Sequence, residues 1–210
     1  YWMDKNGFLI TSSYYMDALP AWVDSFNNAG YAPGYLYSQW ILMKDKATYT
    51  SSLPDDSPFE STRLGDPPVL PYDLQALQKK EGYHGVAFTP FGNSILAEFA
   101  IWAVREEFLG RDKHTDLLAI NFSATDYIGH EFGPNSVEVQ DAYMRLDNDL
   151  AMLISTLDME IGRKNYVLFL TSDHGAANTP TDTAFSYVSN DDLEDLINKF
   201  TVAQFGKELV

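Results

Sequence analysis

The chain has 210 residues, is 45% apolar and contains no cysteine, and its 14 basic against 30 acidic side chains give a formal charge of −16. That length and apolar fraction suit one α/β domain with a substantial core, exclude a disordered chain, and leave no apolar run long enough to predict a membrane span. Missing cysteine excludes disulfides, thiolate metal sites and a cysteine nucleophile, while the acidic balance disfavours nucleic acid and anionic membranes as partners.

Residues 7–13 are apolar at the centre and β-compatible, and Pro20 opens a helical segment to Phe26 that stops near Gly30. A strand–helix unit so close to residue 1 predicts that the chain begins inside a larger fold. Residues 30–80 read differently. Tyr31, Tyr35, Tyr37, Trp40 and Tyr49 crowd the first part, and Pro54, Pro58, Pro67, Pro68 and Pro71 punctuate the rest. Weak periodicity there predicts loops with short elements, a cap or insertion within the domain. Its aromatics either line a cleft or pack the insertion down, and burial energetics favour packing.

Ile95, Phe99, Trp102 and Glu106 fall at helical steps and predict a helix over 95–109 closed by Gly110. Residues 116–122 form an apolar run read as a buried central strand, which makes the Asn121-Phe122-Ser123 sequon a poor glycosylation acceptor. Asn135 and Glu138 match a capping pair for a helix to about Leu157, buried along Val139, Tyr143, Leu146, Leu150, Leu153 and Leu157. Asp141 with Arg145, and Arg145 with Asp149, read as modest surface ion pairs. Residues 166–171 read as a second buried strand. Strand, helix, strand implies a right-handed crossover and a parallel sheet.

Ligand sites in such sheets gather beyond the carboxyl ends of strands. There the sequence places Asp126-Tyr127-Ile128-Gly129-His130 after the first run, and Thr171-Ser172-Asp173-His174-Gly175 at the end of the second. Asp126 and His130 can share an ion if their loop turns helically, with Gly129 giving room to aim the imidazole. Gly175 lets the chain turn so that Asp173 and His174 need not point apart. One Asp/His cluster alone reads as a hydrogen-bonded loop. Two after consecutive strands read as a metal site, whose oxygen and nitrogen donors suit Zn²⁺, and also Mn²⁺ or Fe²⁺. Bound metal would also answer the difficulty of an anionic substrate meeting an acidic chain. His84 and His114 lack a matching partner and read as ordinary loop histidines.

Those two runs, together with Gly133-Pro134-Asn135-Ser136 and the helix bearing Glu138, Asp141, Tyr143, Arg145 and Asp147, resemble the alkaline phosphatase superfamily in its type I phosphodiesterase/nucleotide pyrophosphatase branch. The segments from Asp4 to Tyr15 and Thr89-Pro90-Phe91-Gly92-Asn93 are similar to PafA-like bacterial alkaline phosphatases. The resemblance implies an alkaline-phosphatase-like α/β fold, a parallel sheet flanked by helices, with residues 1–210 its central part and 30–80 the insertion. It implies two Zn²⁺, one held by Asp126 and His130 and the other by Asp173 and His174. A further His, a further Asp, a Thr or Ser nucleophile, and phosphate-binding Lys and Arg have no counterpart here, so no catalytic nucleophile is expected in this chain. Thr11, Ser12 and Ser13 are read as structural. The expected parent is an extracytoplasmic, periplasmic phosphomonoesterase acting on a small phosphate ester, and the isolated chain is expected to hold little zinc and turn nothing over. A phosphodiesterase or nucleotide pyrophosphatase, and a non-catalytic binding domain of the same fold, are the competing readings; a phosphoglycerate mutase is a weaker one.

Overall fold

The computed structural model describes residues 1–178 and 190–207 and opens on a hairpin whose turn is set by its own side chains. Strands β1 (Trp2–Met3) and β2 (Leu9–Ile10) pair antiparallel, Met3 opposite Leu9. Between them Asp4 Oδ1 accepts the backbone N–H groups of Asn6 and Phe8 at 2.8 and 2.9 Å. Gly7 has φ +78°, and a Cβ there would stand 2.8 Å from the Ala32 Cβ, so conformation and packing both require glycine. Helix α1 (Ala21–Asn28) follows Pro20 and buries Val23 and Phe26. Its Asn27 amide accepts from Leu9 N at 2.8 Å and donates to Leu9 O at 3.0 Å, standing in for a neighbouring strand. The expected strand–helix unit therefore exists, with a shorter strand.

Short elements among loops follow, as the sequence predicts. Helix α2 (Tyr31–Leu36) precedes β3 (Gln39–Trp40), which pairs antiparallel with β4 (Tyr72–Asp73) across a long excursion. The Asp73 side chain then caps helix α3 (Leu74–Glu81) by accepting from Gln75 N at 2.9 Å. The aromatics of this segment pack it down. Trp40, Tyr49 and Tyr72 are buried, Tyr31 stacks on Phe26 at 4.6 Å, and Tyr35 stacks on Phe91 at 4.7 Å.

A 3₁₀ segment, Tyr83–Phe88, leads into helices α4 (Phe91–Glu106), α5 (Ala124–Phe132) and α6 (Val137–Glu160). Helix α4 buries Ile95, Phe99 and Val104, and its Ala100 and Ile101 meet Leu153 of α6. These residues belong to one compact unit, Tyr1–Thr179; helix α7 (Asn190–Phe205) belongs to a second, Pro180–Val210.

Three expectations are corrected. Residues 116–122 and 166–171 have no ladder partner among the described residues, and the parallel crossover does not form there. Instead of being buried, Leu117 is 92% exposed and Phe169 89% exposed. A strand's burial depends on neighbours drawn from elsewhere in a sheet, which an apolar run does not encode. Asn121 is exposed too, so the burial argument against its sequon does not hold in this structure. Second, the α6 cap is Ser136, whose extended backbone lets Oγ accept from Val139 N at 3.2 Å, and not Asn135. Third, Asp141 is no surface partner. It is fully buried and accepts from Trp40 Nε1 at 2.7 Å, Met43 N at 2.8 Å, Arg145 Nε at 2.6 Å and the Tyr49 hydroxyl. One carboxylate on α6 thus gathers Trp40, Met43 and Tyr49 of this aromatic segment.

Glu138, one turn earlier, is also fully buried. It accepts from the Tyr72 hydroxyl at 2.6 Å, while its Oε2 has no partner among the described residues. Burial, reinforced by Glu60 and Asp55, raises its carboxyl from the ordinary 4.5 to about 7. Because the folded state then holds this proton more tightly than the unfolded chain, its contribution is full below pH 4.5 and is lost as pH rises through about 7. Glu138→Gln keeps an oxygen for Tyr72 and removes the titration. Denaturant unfolding from pH 4.5 to 8 should show a stability loss on the order of 3 kcal/mol in the wild type that flattens in the variant.

Candidate metal centre

Helix α5 is set by an apolar stripe. Ala124, Ile128 and Phe132 recur every four residues and are all buried. That spacing turns Asp126, Tyr127 and His130 outward. Asp126 occupies the first turn and His130 the last, the arrangement that suits the helix dipole at both ends. The loop does turn helically, and His130 Nε2 lies 3.4 Å from Asp126 Oδ2. Gly129 is not needed for space, since a Cβ there would meet nothing within 4 Å.

Residues 171–175 bring the second pair to the same carboxylate. His174 Nε2 stands 3.5 Å from Asp126 Oδ1 and 3.9 Å from Asp173 Oδ2. Its Nδ1 is 3.0 Å from the Gly175 carbonyl, which can only accept, so a proton belongs on Nδ1, and in the neutral ring Nε2 carries the lone pair. The backbone of this run is shaped locally: His174 N donates to Asp173 Oδ1 at 3.1 Å, and the Ser172 hydroxyl donates to the His174 carbonyl. Asn135 Nδ2 donates to Asn178 Oδ1 at 3.0 Å, tying the run to the α5–α6 loop.

Three of the four sequence-derived residues meet, with Asp126 between two imidazoles, while Asp173, 88% exposed, approaches only its neighbour His174. The donor set, two imidazole nitrogens and two carboxylates without sulfur, has the chemistry a zinc-like ion takes. These side chains do not form a closed shell. Among the described residues no group of three or more His, Cys, Asp and Glu side chains is disposed to hold an ion. His84 and His114 stay apart, the first edge-on to Phe88 at 5.9 Å and the second 3.3 Å from Asp112.

Sequence reading missed the residues that place α5. Asn93 on α4 is buried, and its Oδ1 accepts from Ala124 N at 3.1 Å, fixing the helix start. Arg63, from the insertion, reaches Glu131 at 2.7 Å near the helix end. Asn93 lies within the Thr89–Asn93 segment that carried the resemblance, but nothing in its spacing gave a role. Arg63 had no local signal at all.

The Gly175 carbonyl first, then Asp173 and Asp126, hold the His174 imidazole above its ordinary 6.5. NMR titration of the metal-free chain should place His174 above that value, and Asp126→Asn should lower it without abolishing the Gly175 effect.

Residues 11–204 match the family model of type I phosphodiesterase / nucleotide pyrophosphatase. The chain is 41% identical over 223 residues to a Myroides odoratus protein named calcium-transporting ATPase, covering 100% of this chain and 41% of that protein. It is 42% identical over 181 residues to alkaline phosphatase PhoV of Synechococcus elongatus, covering 86% of this chain and 33% of that protein. The crystal structure of wild-type alkaline phosphatase PafA matches with a TM-score of 0.86 at 36% identity, over 98% of this chain and 40% of that one. The chain thus spans 33–41% of the length of these proteins. Its path is that α/β fold, even where ladder partners are missing among the described residues. By sequence and fold, this chain belongs to the type I phosphodiesterase/nucleotide pyrophosphatase family of the alkaline phosphatase superfamily.

Proposed function

We propose that this chain is the central part of a two-zinc, extracytoplasmic phosphomonoesterase, and that it supplies half of each metal shell. The observation that carries the reading is the Asp126 carboxylate, 3.4 Å from one histidine nitrogen and 3.5 Å from another that lies 44 residues later in the chain. In this reading Asp126 and His130 hold one ion and Asp173 and His174 the other. The remaining His, Asp and Thr or Ser nucleophile belong to other parts of the parent.

When bound, the ions supply the positive charge that a chain of −16 lacks and acidify the attacking hydroxyl. The protein's own part is orientation. Helix α5 sets the separation of Asp126 and His130, the Gly175 carbonyl holds His174 in the tautomer with Nε2 free, and two carboxylates balance the cations' charge. Relatives named alkaline phosphatase favour the monoester reading, whereas the family description favours a diester or pyrophosphate. Groups that contact the leaving side of the phosphate decide between them, and comparing p-nitrophenyl phosphate with its bis ester in the parent separates the two. Retention of all four metal-type side chains argues against a binding domain that has lost its chemistry.

In the full-length parent, Asp126→Ala and Asp173→Ala should each lower phosphomonoesterase activity by at least about a hundredfold while leaving the circular dichroism spectrum unchanged, since ligand loss exceeds the 10–100-fold typical of outer-shell changes. Normal turnover in either variant removes that residue from the site. The 210-residue chain alone should retain well under one zinc after dialysis and show no hydrolysis; stoichiometric zinc with turnover contradicts the partial-shell reading.

A further inference from the structure

Helix α5 is nine residues long, too short to hold a direction by its own hydrogen bonds, so its outward face must be fixed by contacts from other segments. Its inner stripe anchors the buried side. On the outer side one residue does most of the holding. Arg63 Nε donates to Glu131 Oε1 at 2.7 Å, and a second guanidinium nitrogen donates to Glu81 Oε1 at 2.9 Å. The same guanidinium lies 4.1 Å over the Phe88 ring, and Phe88 meets the Tyr127 ring at 5.5 Å. Beside it, Ser61 N donates to the Glu131 carbonyl at 2.7 Å. Glu131 and Tyr127 are the sequence neighbours of His130 and Asp126. The contacts are half-buried, with the Arg63 side chain 30% and the Glu131 side chain 15% exposed, so solvent screens them only in part.

We infer that Arg63 is a positioning residue for the metal-type face of α5, acting through Glu131 and through the Phe88–Tyr127 ring pair, and that the aromatic insertion is thereby coupled to the site. The geometry has a direct physical consequence. A guanidinium can grip two carboxylates and lie flat on a ring at once, which a lysine ammonium cannot. Losing it frees the last turn of α5 to rotate or fray, and the His130 nitrogen moves away from its place beside Asp126.

The inference rests on the proposed metal reading, and its test keeps the two apart. Zinc affinity, by chelator competition, together with kcat, KM and Tm would be measured on the full-length parent and on Arg63→Ala, Arg63→Lys, Glu131→Gln and the Arg63→Ala/Glu131→Gln double variant. Asp126→Ala serves as the control. The expected result is a zinc affinity about tenfold weaker for Arg63→Ala, as for outer-shell partners elsewhere. A smaller loss is expected for Arg63→Lys, and the double variant should be no worse than Arg63→Ala, because both changes remove one contact. Excess zinc should restore much of kcat. Zinc affinity within twofold of wild type in Arg63→Ala, with only Tm lowered, overturns the inference and leaves a purely structural residue. Should Arg63→Ala fail to fold, Arg63→Lys and Glu131→Gln carry the same comparison. If Asp126→Ala leaves zinc binding intact, the metal reading itself has failed, independently of Arg63.

Discussion

The site depends on a single carboxylate being held where two imidazoles from separate segments reach it. Asp126 is placed by helix α5, and His174 arrives on a run of chain with no helix or ladder to steady it. In an isolated acidic protein this meeting has modest value, since exposed Asp–His contacts contribute little and are screened by salt. Its worth lies in pre-organisation. In the proposed reading, ligand atoms already gathered would not need to be ordered when a cation binds.

The segment 30–80 is tied down from helix α6. Buried acids on α6 do the fastening: Asp141 collects Trp40, Tyr49, Met43 and Arg145, and Glu138 receives Tyr72. Asp141 is satisfied on both oxygens, whereas Glu138 keeps one oxygen without a partner among the described residues, and its burial raises its proton affinity. With the insertion fastened, Arg63 can reach across to α5 from a fixed base. Two apolar runs are exposed in this chain, Leu117 and Leu118 in one and Val167 to Leu170 in the other.

Much of the proposed site is legible in the sequence because it is local. Asp126 and His130 are four residues apart with Ile128 and Phe132 between and beyond, so one periodicity reports both the helix and its outward pair. Asp173, His174 and Gly175 are adjacent, and their chemistry survives any uncertainty about backbone path. What was not legible depends on distant partners. Asp141 and Arg145 have the spacing of a surface pair, and only a tryptophan 101 residues away makes the aspartate a buried hub. Arg63 finds Glu81 and Glu131 at separations of 18 and 68 residues. The apolar runs 116–122 and 166–171 carry strand propensity, but propensity states only fitness for a sheet, and the sheet's other members are not in the window being read.

Anomalous diffraction at the zinc edge from crystals of the full-length parent tests the central claim most directly. Two peaks are predicted, one within about 2.0–2.2 Å of Asp126 and His130 side-chain atoms and the other equally close to Asp173 and His174. Zinc bound elsewhere, with these four side chains uncoordinated in an otherwise unchanged fold, would contradict it.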